Sequence, residues 1–240
     1  MTLMTVRQGV ETMEDLPLAS TSPFYTLDAC NGSLAEKIIN SLEGTEGDSA
    51  GSWKKLVNDE AVLLDRLQSQ GIQNPHELAS IDWDQATLLF TTTIELSKDG
   101  RPVPLGEILT RERFGRFPWE DGSLLGYFLT YIRPNRAITE NDGQDIYDSI
   151  VSLLTKLTSY CTEQHRGHRN YEDGFGGMKI KGFITTDEVK LLRRNLSSRT
   201  WTASYDEPLD GGVADAAKHF MTLLKSAERR DVGVMFRTHA

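Results

Sequence analysis

The apolar residues in the first two-thirds of the chain recur every three or four positions, the spacing that places side chains on one face of an α-helix. Asp142 and Gly143 precede the clearest stripe as start signals, and Asp145 falls in its first turn. That stripe consists of Ile146, Ile150, Leu153, Leu154, Leu157 and Cys161. Shorter stripes predict further helices over 34–42, 53–70, 82–96 and 124–132. Within these, the β-branched run 91–94 also fits a strand.

The last third of the chain alternates between strand and helix patterns. Thr185 and Glu188 have the spacing of a capping box, which opens a helix. Val232, Val234 and Phe236 alternate near the end of the chain in the manner of an edge strand. The elements predicted here, in order, are strand 178–184, helix 187–196, strand 200–205, helix 213–227 and the final strand.

These patterns predict an α+β fold, with a predominantly helical first two-thirds and a small mixed or antiparallel sheet formed by the C-terminal third. Residues 1–33, which contain Pro17 and Pro23, are expected to form a partly irregular N-terminal arm. Residues 34–240 are expected to form a single domain. Within it, the glycine-rich segment 43–52 is expected to be an exposed loop or a hinge.

Charge is distributed unevenly along the chain. The formal net charge is −9. Residues 1–100 carry 16 acidic and 6 basic side chains, whereas residues 101–240 carry 19 acidic and 20 basic ones. The overall acidity argues against general nucleic-acid binding, because that affinity comes from phosphate neutralisation. Two widely separated cysteines, no signal-peptide pattern and no membrane-spanning apolar run predict a cytoplasmic protein without a membrane association.

The loop after the long helix, within 161–181, is the densest group of chemically reactive side chains. Cys161, His165 and His168 are candidate metal ligands, since zinc prefers cysteine and histidine. His165 and His168, together with Glu172 and Asp173, are also the candidate catalytic residues. However, no second cysteine or histidine pair follows at a zinc-site spacing, and Cys161 lies on the buried stripe of its helix. No P-loop string occurs either, so we predict neither a metal nor a cofactor.

Basic residues in the second half of the chain form a separate candidate site. The predicted basic patch consists of Arg166, Arg169, Lys179, Lys181, Arg193 and Arg194. Arginines and lysines of 111–136 and 165–199, with the aromatic residues of the first of these segments, have the composition of a single-stranded nucleic-acid groove. The alternative is that the aromatics fill the core and that the basic residues pair with acids.

We therefore expect a non-enzymatic protein that acts by binding a macromolecular partner, above all a protein, as inhibitor, immunity or adaptor proteins do. The acidic half could steer a basic partner, and edge strands near the C-terminus could support association, including self-association. The second hypothesis is a metal-dependent or phosphate-directed enzyme that uses the 161–181 loop. Nucleic-acid binding through 111–136 and 165–199 is the third.

Overall fold

The computed structural model describes residues 24–43, 48–94, 117, 119–120, 122–135, 143–161 and 178–239, and within these ranges the fold is α+β, as predicted. The elements are β1 (Phe24–Cys30), α1 (Gly32–Glu43), α2 (Ser49–Asp59), α3 (Ala61–Ser69), α4 (Gln85–Phe90), α5 (Leu124–Tyr131), β2 (Ile132–Pro134), α6 (Gln144–Ser159), β3 (Met178–Ile184), α7 (Thr186–Leu196), β4 (Trp201–Ala203), α8 (Gly212–Arg229) and β5 (Gly233–His239). No helix of the described ranges is both long and apolar enough to cross a membrane.

The main sheet has three antiparallel strands in the order β1–β5–β3. Alternate side chains of these strands enter two different apolar clusters. Leu27, Ile184 and Phe236 pack with residues of α5 to α8, whereas Phe183 and Met235 pack with residues of α1 to α4. The sheet therefore lies between two helical layers, and its central strand β5 is buried on both faces.

A buried ion pair joins β1 to β5 on the side of the sheet that faces α4. The Nε atom of Arg237 lies 2.5 Å from Oδ2 of Asp28, which also accepts a hydrogen bond from the Thr26 hydroxyl. The guanidinium carbon lies 4.7 Å from the centre of the Phe90 ring. Both charged side chains are almost fully buried, so each needs the other to offset its loss of hydration.

The central position of β5 corrects two predictions. The C-terminal strand is not an edge strand, because β1 pairs with it on one side and β3 on the other. The predicted arm, 1–33, is wrong for residues 24–30, which form β1; residues 1–23 lie outside the described ranges. Thr26 and Asp28 interrupt the apolar pattern of β1, and Arg237 is what allows Asp28 to be buried.

Local signals gave the correct elements in the C-terminal third, while three predictions for residues 43–96 differ from the structure. Thr185 and Glu188 form the predicted capping box, and strand 178–184 has the expected bounds. Of the predicted helix 82–96, only Gln85–Phe90 are helical among the described residues, and Thr93 instead bridges to Cys30. The predicted helix 53–70 is instead two helices, because Glu60 has a non-helical backbone between α2 and α3. The predicted loop 43–52 is helical from 49 onward, where the Asp48 carboxylate accepts a hydrogen bond from the backbone N–H of Gly51 and caps α2.

We predict that Asp28→Asn lowers the free energy of unfolding by about 3–5 kcal/mol, because it leaves the Arg237 charge buried without its counter-ion. The double variant Asp28→Leu with Arg237→Met should lose less, since it removes both charges. Urea denaturation of the three proteins measures both effects. A single variant as stable as the parent would contradict this role for the pair.

We also predict that Gly182→Ala lowers the free energy of unfolding by about 1–3 kcal/mol, and that Gly182→Val lowers it by more. Gly182 follows the irregular register of β3, and α6 crosses directly over it. A Cβ atom there would lie 2.6 Å from the carbonyl oxygen of Leu157 and closer still to that of Lys156. Thermal unfolding of the two variants measures the loss, and equal stability of both with the parent would refute the close approach.

Candidate protein-binding surface

A second, two-stranded sheet forms where α5 ends and the chain continues directly into β2. Ser123 caps α5 by accepting a hydrogen bond from the backbone N–H of Gly126 at 3.0 Å. β2 then pairs antiparallel with β4, with Ile132 opposite Ala203 and Pro134 opposite Trp201. We refer to these two strands, Ile132–Pro134 and Trp201–Ala203, as the ribbon.

The register of the ribbon determines which backbone groups point away from it. The N–H of Ser204 donates to the carbonyl of Tyr131, and the N–H of Asn135 donates to the carbonyl of Thr200. Hydrogen-bonded pairs alternate along antiparallel strands, so Arg133 and Thr202 form the pair between these two. The backbone groups of Trp201 and Ala203 therefore point away from β2, to the outer side of β4. Pro134 fits the same register, since its missing N–H would also point outward.

The two outer edges of the ribbon differ. On β2, the carbonyl of Ile132 accepts hydrogen bonds from the Tyr147 hydroxyl and from Arg133. On β4, the outward backbone groups of Trp201 and Ala203 have no hydrogen-bond partner among the described residues. Thr202 and Ala203 are exposed, and the Tyr205 side chain just beyond them is fully exposed. With respect to the described residues, β4 therefore has a free edge.

The edges of the main sheet are less accessible than the edge of β4. The carbonyl of Ala29 in β1 accepts a hydrogen bond from Ile94, and Cys30 forms an isolated bridge with Thr93. On the other side, the carbonyl of Lys181 in β3 accepts one from the backbone N–H of Cys161. Described residues thus already form hydrogen bonds with some of the outward backbone groups of β1 and β3.

Packing against the core fixes the position of the ribbon. The Trp201 ring meets the Phe128 ring edge to face, with centroids 5.4 Å apart, and its indole N–H donates to the carbonyl of Leu196 at 2.9 Å. Ile132 is buried in the same apolar cluster. The ribbon is consequently a rigid extension of the α5–α8 layer, and a partner would not have to order it on binding.

The segment after β4 is held by a network centred on Glu207. Its carboxylate accepts hydrogen bonds from the Tyr127 hydroxyl, at 3.0 Å, and from the backbone N–H of Val213 in the first turn of α8. The Tyr127 hydroxyl also accepts a hydrogen bond from the N–H of Leu209. Burial raises the pKa of Tyr127, and the carboxylate of Glu207 raises it further. This network determines where Tyr205 leaves the ribbon.

A shallow groove of about 540 Å³ lies along the ribbon, and it contains the charged residue Arg133. Its lining consists of Arg133, Pro134, Asn135 and residues 202–205. The Ser204 hydroxyl hydrogen bonds to the carboxylate of Asp206 and holds the pKa of that group below its usual range, with a smaller contribution from Arg133. The groove thus combines exposed backbone, a guanidinium group and an exposed aromatic ring.

Of the sequence-predicted candidate residues that the structure describes, only Arg133 lines this groove. His165, His168, Glu172 and Asp173 lie outside the described ranges, as do Arg166 and Arg169. Cys161 is buried, as predicted, but it lies beyond the end of α6 and packs with α1 to α4, not with the apolar stripe of α6. The described residues contain no group of three or more histidine, cysteine, aspartate or glutamate side chains that could hold a metal ion.

The described members of the predicted basic patch do not form one site. Lys179 and Lys181 are half-buried in β3, and each takes part in further interactions. Arg193 forms an ion pair with Glu228 across α7 and α8, beside an open groove of about 370 Å³. Arg194 is exposed near the end of α7. Of the arginines in 111–136, the structure describes Arg133 alone.

The ribbon was not predicted from the sequence, although one of its strands was. Thr200 to Tyr205 had the expected alternation, but Arg133 and Pro134 are typical of a helix end and concealed β2. The aromatic residues next to them mostly pack with each other, as Trp119, Tyr127 and Tyr131 do. Comparison with protein-family models, with curated proteins and with solved structures gave no match.

We predict that Glu207→Ala lowers the free energy of unfolding by about 1–3 kcal/mol, because Tyr127 and the first turn of α8 lose their acceptor. Asp210→Ala, in the same segment but exposed, should stay within about 0.5 kcal/mol of the parent. Chemical denaturation compares the two. Equal effects of both variants would contradict the network described for Glu207.

Proposed function

We propose that this chain is a non-enzymatic protein-binding module that captures an extended segment of a partner protein along the free edge of β4. The observation that carries the proposal is the pair of outward backbone positions at Trp201 and Ala203, which have no partner among the described residues and lie next to the fully exposed Tyr205. A strand added to a free edge forms main-chain hydrogen bonds, and neighbouring pockets select its side chains.

The length of β4 limits what backbone pairing alone can contribute. Two outward residues offer two donors and two acceptors, and a net contribution of about 0.5–1.5 kcal/mol for each hydrogen bond gives about 2–6 kcal/mol. Even the upper end of this range gives a dissociation constant of only tens of micromolar, and the entropy cost of association weakens the binding further. Contacts with Tyr205 and with the groove residues must therefore supply much of the affinity.

The surroundings of β4 also favour a protein partner. Open edges in natural proteins are usually protected by lysine, proline or a covering segment. Thr202 and Ala203 provide no such protection, and no described residue covers them. The edge is held rigidly by Trp201, so a partner segment meets a preformed template.

A photo-crosslinking phenylalanine derivative in place of Tyr205, which keeps an aromatic ring at this position, tests the proposal in lysate of the source organism. We expect it to capture a specific protein, and we expect Ala203→Pro to abolish that capture. Proline removes the outward N–H of residue 203 and places its ring on the open edge. It leaves the pairing of Arg133 with Thr202 intact, because that pair does not use this N–H.

Ala203→Thr is the matched control, because it enlarges the side chain but keeps the outward N–H. It should retain capture, and thermal unfolding should show that both variants fold. A protein captured equally by the parent, the proline variant and the threonine variant would overturn binding along β4. So would the absence of any captured protein. A captured nucleic acid would instead support the third hypothesis.

A further inference from the structure

The ribbon has one polar side and one apolar side. Residues directly opposite each other in an antiparallel pair lie on the same side, and successive residues of each strand alternate. The register therefore places Arg133 and Thr202 together on one side. The remaining residues of the ribbon lie on the other side, and all of them are apolar: Ile132, Pro134, Trp201 and Ala203.

Burial shows which of the two sides faces the core. Ile132 is buried in the apolar cluster, and the Trp201 ring packs against Phe128, so the apolar side faces α5 to α8. Arg133 and Thr202 are exposed. We refer to the two sides as the core-facing side and the solvent-facing side of the ribbon.

The core-facing side is covered at β2 but open at β4. Ile132 is buried, whereas Ala203, which lies directly opposite it, is exposed, and Trp201 is partly exposed. Ile132 and Ala203 form a non-hydrogen-bonded pair, in which opposed side chains come closest. The apolar side of the ribbon therefore continues out of the core and ends, still exposed, at the edge of β4.

A strand added to β4 continues the pleat of the ribbon. Its residues opposite Trp201 and Ala203 would place their side chains on the core-facing side, beside the exposed apolar surface. The residue between them, opposite Thr202, would place its side chain on the solvent-facing side. Since Ala203 carries only a methyl group, it leaves room for a large side chain beside it, which would also lie diagonally next to Trp201.

We infer that the partner segment bound along β4 is an amphipathic strand, with apolar side chains beside Trp201 and Ala203 and a polar side chain beside Thr202. The larger apolar side chain, an aromatic one, lies beside Ala203. This inference rests on the proposed function and specifies its partner. Removal of these two side chains from water supplies affinity that the few main-chain hydrogen bonds do not.

Selection from a library of random peptides of about twelve residues, displayed on phage, tests the inference. Enriched peptides should share two apolar residues separated by one polar residue, and one of the apolar residues should be aromatic. Serine in place of either apolar residue should weaken binding about tenfold, as measured by fluorescence anisotropy. Serine in place of the polar residue should weaken it less than about threefold.

Selection on Thr202→Lys tests which peptide residue lies on which side. In an antiparallel partner strand, the residue facing position 202 belongs to a non-hydrogen-bonded pair, with Cα atoms about 4.5 Å apart. The lysine should therefore enrich aspartate and glutamate at the residue between the two apolar ones, because opposite charges facing each other stabilise the pair. Thr202→Val, which has a similar size and no charge, is the matched control and should not enrich acidic residues. Thermal unfolding should show that both variants fold, since the replaced side chain is exposed.

The possible failures are distinguishable with Ala203→Pro, which should bind none of the selected peptides. Peptides that depend on Ala203 but lack the apolar–polar–apolar pattern would overturn the inference and leave the proposed function standing. Acidic residues enriched by Thr202→Lys at the apolar positions would do the same. A parent protein that sediments as a dimer, and becomes a monomer in Ala203→Pro, would also overturn the inference, because a second copy would then occupy the edge. The absence of any peptide that depends on Ala203 would overturn both proposals.

Discussion

The burial of Arg237 depends on Asp28, and the arrangement of the main sheet depends on that pair. β5 lies between β1 and β3 with helices on both faces, so a charged residue within it has no access to bulk water. Asp28 on β1 supplies the counter-charge, and the Phe90 ring covers the guanidinium group. The pair favours this register, because a one-residue slip of either strand would turn its charge toward the apolar cluster on the other face and away from its partner.

Elements with a complete local signal could be predicted from the sequence. The capping box of Thr185 and Glu188 and the stripe on α6 needed no information from distant residues. β1 could not be assigned in this way, because Asp28 looks like a loop residue until Arg237, 209 positions later, is placed beside it. β5 looked like an edge strand for a related reason, because Asp28, which offsets the charge of Arg237, lies far away in the sequence.

The candidate surface was even harder to predict. β2 has three residues and contains a proline, and it becomes recognisable only through its pairing with Trp201 to Ala203. The freedom of the β4 edge is a property of that register, and no residue type in the sequence indicates it. The loop hypothesis for His165 and His168 stays a prediction, since these residues lie outside the described ranges.

The proposed activity follows from how backbone hydrogen bonds are satisfied across the molecule. Described residues occupy part of the outer strands of the main sheet, while none of them pairs with the outer edge of β4. Because Trp201 and Glu207 fix the ends of that edge, it is a template with a defined position.

Amide hydrogen exchange of the free protein, followed by NMR, shows directly whether the outer edge of β4 is open. We expect the N–H groups of Trp201 and Ala203 to exchange rapidly, while the N–H of Thr202 between them is protected by its pairing with Arg133. A bound peptide should then protect the first two. Protection of the Trp201 and Ala203 amides in the free protein would show that the edge is already occupied and would contradict the account.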